Sequence, residues 1–435
     1  MKIFEVGRDP QAEIEAALAP SPSMFSDEVR RVVGEIISDV RQRGDEALLE
    51  LGRRFDSPDL SALKVSDDEI DSAYREVPGA LIEAIRRAKS NIESFHLKQL
   101  RQSWFDVTDG CLLGQIYRPI ERVGLYAPGG RAPYPSSVLM IAVPAKVAGV
   151  KFMVMCSPAR PDGRADPLTL VAARESGVDA VFKIGGAQAV AAMAFGTESV
   201  PKVDKIVGPG NPYVTEAKRQ VYGSVGIDMM AGPSEIMIVA DDTADPVMAA
   251  ADMISQAEHA EDSKSVFVTT SRYVADRVLA EVKRRRDQAA RSDVIAQSLA
   301  QNGVMILAQT IEQAADLVNL FAPEHLELLV ADPWSLLPMI KNAGAIMLGH
   351  FSPVPFGDYA AGPSHTLPTG GTARFSSPVT VDDFVKKSSL VECSRSALEN
   401  IADTVIKLAE AEGFMAHADS IRVRFSQNKP ADGSE

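Results

Sequence analysis

From about residue 120 to 350 the chain repeats one pattern, a short apolar run followed by an amphipathic stretch. The runs are FMVMCS, AVFKIGG, KIVGPG, IMIVAD, VFVTTS, VMILAQ and AIMLG, and stretches such as ADPLTLVAARESG and TIEQAADLVNLFA lie between them. Runs of this length read as strands, and the stretches between them as helices. Strand, helix, strand, helix is the order that builds parallel α/β layers. The runs outnumber the strands of one small sheet, and 435 residues exceed one hydrophobic core, so two lobes are predicted. The flanks differ. Residues 1 to about 115 read as helices: EVRRVVGEIISDVRQRGDEALLELGRRF has helical spacing, broken at Gly44 and ended near Pro58. From about 380 onward the chain reads as helical again, with SALENIADTVIKLAEAEGF interrupted at Gly413. The last eight residues are polar and read as disordered.

Composition enters by exclusion. A net charge of −14 leaves no basic surplus to neutralise phosphates, which argues against a nucleic-acid or anionic-membrane binder. The cluster KRRR, Lys283 to Arg286, reads as a solvated helix face. MKIFEVGRDP has no apolar centre and is not a signal peptide. VLMIAVPAKVAGV contains Pro144 and Lys146 and is too short to span a bilayer. Cys111, Cys156 and Cys393 are far apart and odd in number, which implies a reducing compartment without a disulfide framework. A soluble cytoplasmic protein is the expectation.

Four of the six histidines sit in unusual surroundings. In QAEHAEDS, Gln256 and His259 are three residues apart; on a helix both would share a face and could share one metal ion. The same stretch also reads as the polar face of a surface helix, and taken alone that reading is the stronger. In APEHLELL, Pro323 would start a helix and place Glu324 and His325 in its first turn. They form a candidate general-base pair, but taken alone a capped helix start is the stronger reading. The run SPVPFGDYAAGPSHTLPTGGTARFSS carries Asp358 and His365 between glycine and proline pivots, the pattern of an active-site loop more than of a plain connection. GLYAPGGRAPYPSS and KIVGPGNPYV could let backbone approach a phosphate or ribose. Neither is a Gly-x-Gly-x-x-Gly fingerprint, so a dinucleotide is only weakly suggested.

Together the blocks VGLYAPGG, YPSSVLM, GGAQAVAAMAFGTE, VGPGNPYV, GIDMMAGPSE, QAEH, APEHLE, GDYAAGPSH, LPTGGTARFSS and AEGFMAH resemble the histidinol dehydrogenase family, in order from about Val32 to Arg424. The resemblance implies two incomplete, Rossmann-like doubly wound lobes, with helical N-terminal and C-terminal dimerisation segments. The implied division is an N-terminal arm (1–23), a first lobe (24–122 and 235–380), an inserted NAD-binding lobe (123–234) and a C-terminal segment (381–435) that reaches a partner subunit. The implied reaction is the four-electron oxidation of L-histidinol to L-histidine by two NAD, through a bound aldehyde, in a homodimer with shared sites. One zinc ion per site would be held by Gln256, His259, Asp358 and His417, the last from the partner chain, and the substrate would complete its coordination. Glu324 and His325 would be the acid/base pair. Tyr126, Gln188 and Asn211 would contact NAD, and Ser234, His365 and Glu412 the substrate. Two positions depart from the commonest family pattern: Ser364 replaces an asparagine, and Lys264 a glutamine. The same scaffold is similar to that of sulfopropanediol dehydrogenases; Glu412 favours a cationic substrate over a sulfonate. A zinc hydrolase is the alternative from a different class, with water activated by the carboxylate–histidine pair.

Overall fold

The computed structural model describes residues 1–20, 26–129 and 133–426. The end of the expected N-terminal arm, the tip of GLYAPGGRAPYPSS and the expected disordered tail lie outside the described residues. The strands among those described are β1 (Lys2–Glu5), β2 (Trp104–Thr108), β3 (Cys111–Pro119), β4 (Arg122–Tyr126), β5 (Phe152–Ser157), β6 (Ala180–Lys183), β7 (Lys205–Val207), β8 (Gly226–Ile227), β9 (Glu235–Ala240), β10 (Lys264–Thr269), β11 (Val304–Leu307), β12 (His325–Leu329), β13 (Ala345–Leu348) and β14 (Val385–Cys393).

The chain divides into two compact units, the first comprising residues 1–100 and 119–384. It contains two sheets. One has the order β1-β11-β10-β9-β12-β13 and the other β6-β5-β4-β7-β8. Neighbours in both are parallel. In the five-stranded sheet the chain starts at the central strand β4, and in the six-stranded sheet, apart from the edge strand β1, it starts at β9; in each it winds outward on one side and then returns to the other. Both sheets are therefore doubly wound, with chain reversal between β9 and β12 and between β4 and β7. Strands β9, β10 and β12 are buried on both faces, which explains their nearly unbroken apolar sequences EIMIVA, KSVFVT and HLELL. The turns into the helices repeat one local device. Asp166, Asn211, Asp245 and Asp332 each precede a proline and accept hydrogen bonds from backbone N–H groups of the first turn. The side chain satisfies donors that have no intrahelical partner, and proline at the first helical position removes another.

The flanks depart from the sequence reading. β1 is an edge strand paired with β11, and Ile14 and Leu18 of the helix Gln11–Leu18 join the core of the six-stranded sheet. Residues 1–18 are thus part of a lobe, because their apolar side chains find a core nearby. The helices Asp27–Arg43, Asp45–Phe55, Asp67–Glu76 and Gly79–Leu97 were expected with the first lobe. Their buried side chains, among them Val33, Leu48, Ala73 and Ile92, join the cores around the five-stranded sheet. Helical spacing specifies an apolar face but not which sheet will cover it.

The second unit comprises residues 101–118 and 385–435. Its sheet has the order β14-β3-β2, so strands appear at 104–119 and 385–393, where the sequence read as helix. β2 and β3 form an antiparallel hairpin closed by Asp109-Gly110, both with positive φ (51° and 79°). That dipeptide suits a two-residue turn between strands. The helices Arg395–Ala411 and Met415–Ser426 follow β14. Cys111 and Cys393, far apart in sequence, meet in this sheet with sulfurs 2.6 Å apart.

Candidate active site

A cleft of about 440 Å³ opens in the first unit. One wall includes Ser234, His259, Glu324, His325, Asp358 and His365; the other includes Ser137 and Asn211. Ser234 precedes β9, and Glu324 and His325 stand at the entry to β12, so the six-stranded sheet presents amino-terminal strand ends. The five-stranded sheet presents carboxyl-terminal ends through the 209–212 turn after β7, beside its reversal point, where open α/β sheets ordinarily bind ligands.

Glu324 and His325 do not start a helix. The helix Ile311–Phe321 ends in the left-handed residue Ala322, Pro323 follows, and His325 opens β12. Parallel pairing with β9 and β13 outweighs the helix-start signal of proline and glutamate. The consequence is functional, because Glu235 of β9 holds both side chains with its own peptide groups. Its N–H donates to Glu324 Oε2 at 2.8 Å. Its carbonyl accepts from His325 Nδ1 at 3.2 Å. His325 Nε2 lies 3.3 Å from Asp358 Oδ1. Burial alone would lower the His325 pKa, but the charges of Glu324 and Asp358 outweigh it and hold that pKa well above the usual value. Asp358 is likewise penalised by burial, yet the facing imidazole keeps its pKa below the usual carboxylate value.

His365 donates from Nδ1 to the Asp358 carbonyl at 2.8 Å, and its Nε2 accepts from Ser137 Oγ at 3.1 Å. Burial lowers its pKa, so the neutral ring bridges the two walls. Gln256 and His259 do not share a helix. The helix Pro246–Ala257 ends before His259, whose N–H bonds to the Gln256 carbonyl at 3.3 Å in the turn that follows. Gln256 is buried, and its amide nitrogen has no hydrogen-bond partner among the described residues. Asn211 Oδ1 caps its helix, which leaves the amide nitrogen free to donate. Tyr126 and Gln188 are buried and do not line the cleft; the Tyr126 hydroxyl accepts from Gly186 N–H at 3.1 Å. Glu412 and His417 belong to the second unit, where Glu412 ends the helix Arg395–Ala411 and His417 lies in the next. Among the described residues, no three His, Cys, Asp or Glu side chains of one chain form a metal cluster.

A family model for histidinol dehydrogenase matches residues 20–425. The chain belongs to the histidinol dehydrogenase family. It is 51% identical to a histidinol dehydrogenase of Geobacter metallireducens over 98% of each chain. It is 50% identical to that of Clostridium acetobutylicum over 92% of this chain and 93% of the other. A crystal structure of histidinol dehydrogenase from Elizabethkingia anophelis superposes with a TM-score of 0.93, at 38% identity and over 98% of each chain. The protein is therefore an oxidoreductase, and the hydrolase alternative is not favoured. The two departures from the family pattern avoid the cleft. Ser364 donates to the Met140 carbonyl at 3.1 Å. Lys264 donates to the Ala19 carbonyl at 2.8 Å and lies over the Phe321 ring. Glu235 and Ser137 were missed as site residues although both stand in quoted blocks. No side-chain signal marked Glu235, which acts through its peptide groups, and nothing in YPSSVLM marked Ser137 apart from its neighbour.

Proposed function

We propose that this chain oxidises L-histidinol to L-histidine in two NAD-dependent steps, with zinc in the site. The observation that carries the reading is the Glu324–His325 pair, fixed by one backbone and opening on a cleft between two doubly wound sheets. The donor chemistry fits zinc: an imidazole, His259, and a carboxylate, Asp358, line the cleft, and the amide oxygen of Gln256, in the helix just before His259, would be the third ligand. The fourth ligand would be the partner subunit's His417. Zinc there would orient the substrate's amine and imidazole nitrogens, and would draw on Asp358 so that the carboxylate no longer holds the proton on His325. NAD, held against the five-stranded sheet, would supply the hydride acceptor, two molecules for four electrons.

The chain's own residues then have defined tasks. His325, freed of its proton, takes the alcohol proton as hydride departs from the carbon. Its Nδ1–H stays on the Glu235 carbonyl, which fixes the tautomer and directs Nε2 to the substrate. Glu324 activates water for addition to the aldehyde, and His325 takes a proton again as the hydrated aldehyde is oxidised. Each positioned proton transfer contributes on the order of 10²–10⁴ in rate. His365, and Glu412 from the partner, would contact the substrate, while Tyr126, Gln188 and Asn211 support the nucleotide side. For Tyr126 and Gln188 that support is structural, through the Gly186 turn. The homodimer draws support from the exposed apolar side chains of the second unit, including Phe105, Val107, Leu408 and Phe414. No helix among the described residues is long and apolar enough to cross a membrane; a cytoplasmic place accords with a pathway that uses NAD.

The test is NADH formation from L-histidinol with zinc, followed to completion, with dihydroxypropane sulfonate in parallel. Two NADH per histidinol, lost on chelation, is the expected result. Turnover of the sulfonate alone would reassign the substrate, and chelation without effect would remove zinc from the proposal.

A further inference from the structure

Cys111 opens β3 and Cys393 closes β14, neighbouring strands of the three-stranded sheet. The residues are 282 positions apart in sequence and their sulfurs 2.6 Å apart in space. Both are free thiols, Cys111 half-buried and Cys393 exposed. The two sulfurs face each other within reach of a bond, which stands at about 2.05 Å. The neighbouring backbone is already fixed. Ser394 N–H donates to the Gly110 carbonyl at 2.9 Å. Ser394 Oγ accepts from Ala397 N–H at 3.2 Å and so caps the helix that begins at Arg395. The third cysteine, Cys156, is fully buried within β5, where burial pushes its thiol pKa up. A close, accessible pair and a fully buried single cysteine thus coexist in one chain, and the Cys111 thiol raises the pKa of its neighbour Cys393.

We propose that Cys111 and Cys393 form a reversible intrachain disulfide site that staples the base of the C-terminal helices under oxidising conditions. The oxidant is a peroxide or a low-molecular-weight disulfide. With hydrogen peroxide, one thiolate attacks an oxygen, the O–O bond breaks, and a sulfenic acid forms with release of water after protonation. The second thiol displaces water from that sulfur. Two thiols are oxidised by two electrons and the peroxide is reduced to two waters. With a small disulfide, a mixed disulfide forms and the second cysteine resolves it, releasing two small thiols. Reversible cross-links of this kind are compatible with a reducing compartment, where disulfides are transient.

The experiment uses the full-length protein, freed of reductant and exposed to hydrogen peroxide or oxidised glutathione. Free thiols are then alkylated under denaturing conditions, and the products are read by intact mass, peptide mapping and a non-reducing gel. Expected are two of the three thiols protected, a Cys111–Cys393 linked peptide, migration as a single chain, and reversal by dithiothreitol. The melting temperature of the oxidised protein should exceed that of the reduced protein by on the order of a few degrees. Cys111→Ser and Cys393→Ser should each abolish both the protection and the shift. Full alkylation after oxidant, or a linkage between chains, would overturn the proposal on the wild-type protein alone. A melting shift that survives Cys111→Ser would overturn the staple.

Discussion

Replacing Asp228 by alanine should destabilise the protein and, on the proposed function, weaken its hold on NAD. The Asp228 side chain is fully buried and pairs with Lys218, whose side chain is 3% exposed. Its Oδ2 accepts from Gly208 N–H at 2.8 Å, while Lys218 Nζ donates to the Gly208 carbonyl at 3.0 Å. The pair therefore grips both peptide groups of the glycine that begins the GPGNP turn. Alanine leaves a buried ammonium with one carbonyl for company, and removing one partner of a buried pair costs about 3–5 kcal/mol. Lys218→Met should cost a similar amount, since it strands the carboxylate. The double replacement Lys218→Met with Asp228→Leu should cost clearly less than the two single changes added together, because no unpaired charge remains. Urea unfolding of the four proteins gives the stability cycle. Steady-state kinetics should show KM for NAD rising several-fold more than KM for histidinol, because Asn211 lies in the same turn. Additive stability effects, or a cost for Asp228→Ala below about 1 kcal/mol, would refute the reasoning. An unchanged KM for NAD would separate the ion pair from nucleotide binding.

His325→Asn should lower kcat by roughly 10²–10⁴ while zinc content by elemental analysis stays at the wild-type level; loss of zinc would mean that the residue is a ligand and not the base. Gly208→Ala should raise KM for NAD and lower the unfolding midpoint, since this residue has φ +132° and a Cβ would run into the Tyr126 carbonyl; wild-type kinetics in the variant would show that the turn tolerates adjustment. Asp56 is raised to about 6 by burial, partly offset by the bond from Gly185 N–H. The folded state thus binds its proton more tightly than the unfolded chain, so the stability it contributes is full below about pH 4 and is lost as pH rises through about 6. Asp56→Asn should accordingly stabilise the protein by about 1–3 kcal/mol at pH 8 and hardly at pH 4, read from denaturation at both values; an equal effect at both would show that charge is not the cause.

The alternation of strands and helices between 120 and 350 was legible because a buried parallel strand and an amphipathic helix have different apolar periods, and each is a property of neighbouring residues. The Asp109-Gly110 hairpin lay in a stretch read as helix and emerged only when β2 paired with β3. The ordered blocks of the family carried the site residues, and the cleft brings together Ser234, His259, Glu324, His325, Asp358 and His365 from positions spread over more than 130 residues. Other features depended on pairing between distant segments. HLELL became a strand because β9 and β13 flank it, although proline and glutamate before it favour a helix start. The helices of residues 27–97 chose the five-stranded sheet, and no period in their sequence names the surface they cover. Glu235 acts through its peptide groups, which every residue carries, so its chemistry could not be read from its side chain. Cys111 and Cys393 became neighbours only when β3 met β14. The sequence by itself determined which segments are strands or helices wherever the period was clear, and which residue types are available for catalysis. The tertiary structure decided which of them touch, because contact distance is set by long-range pairing that no local pattern contains.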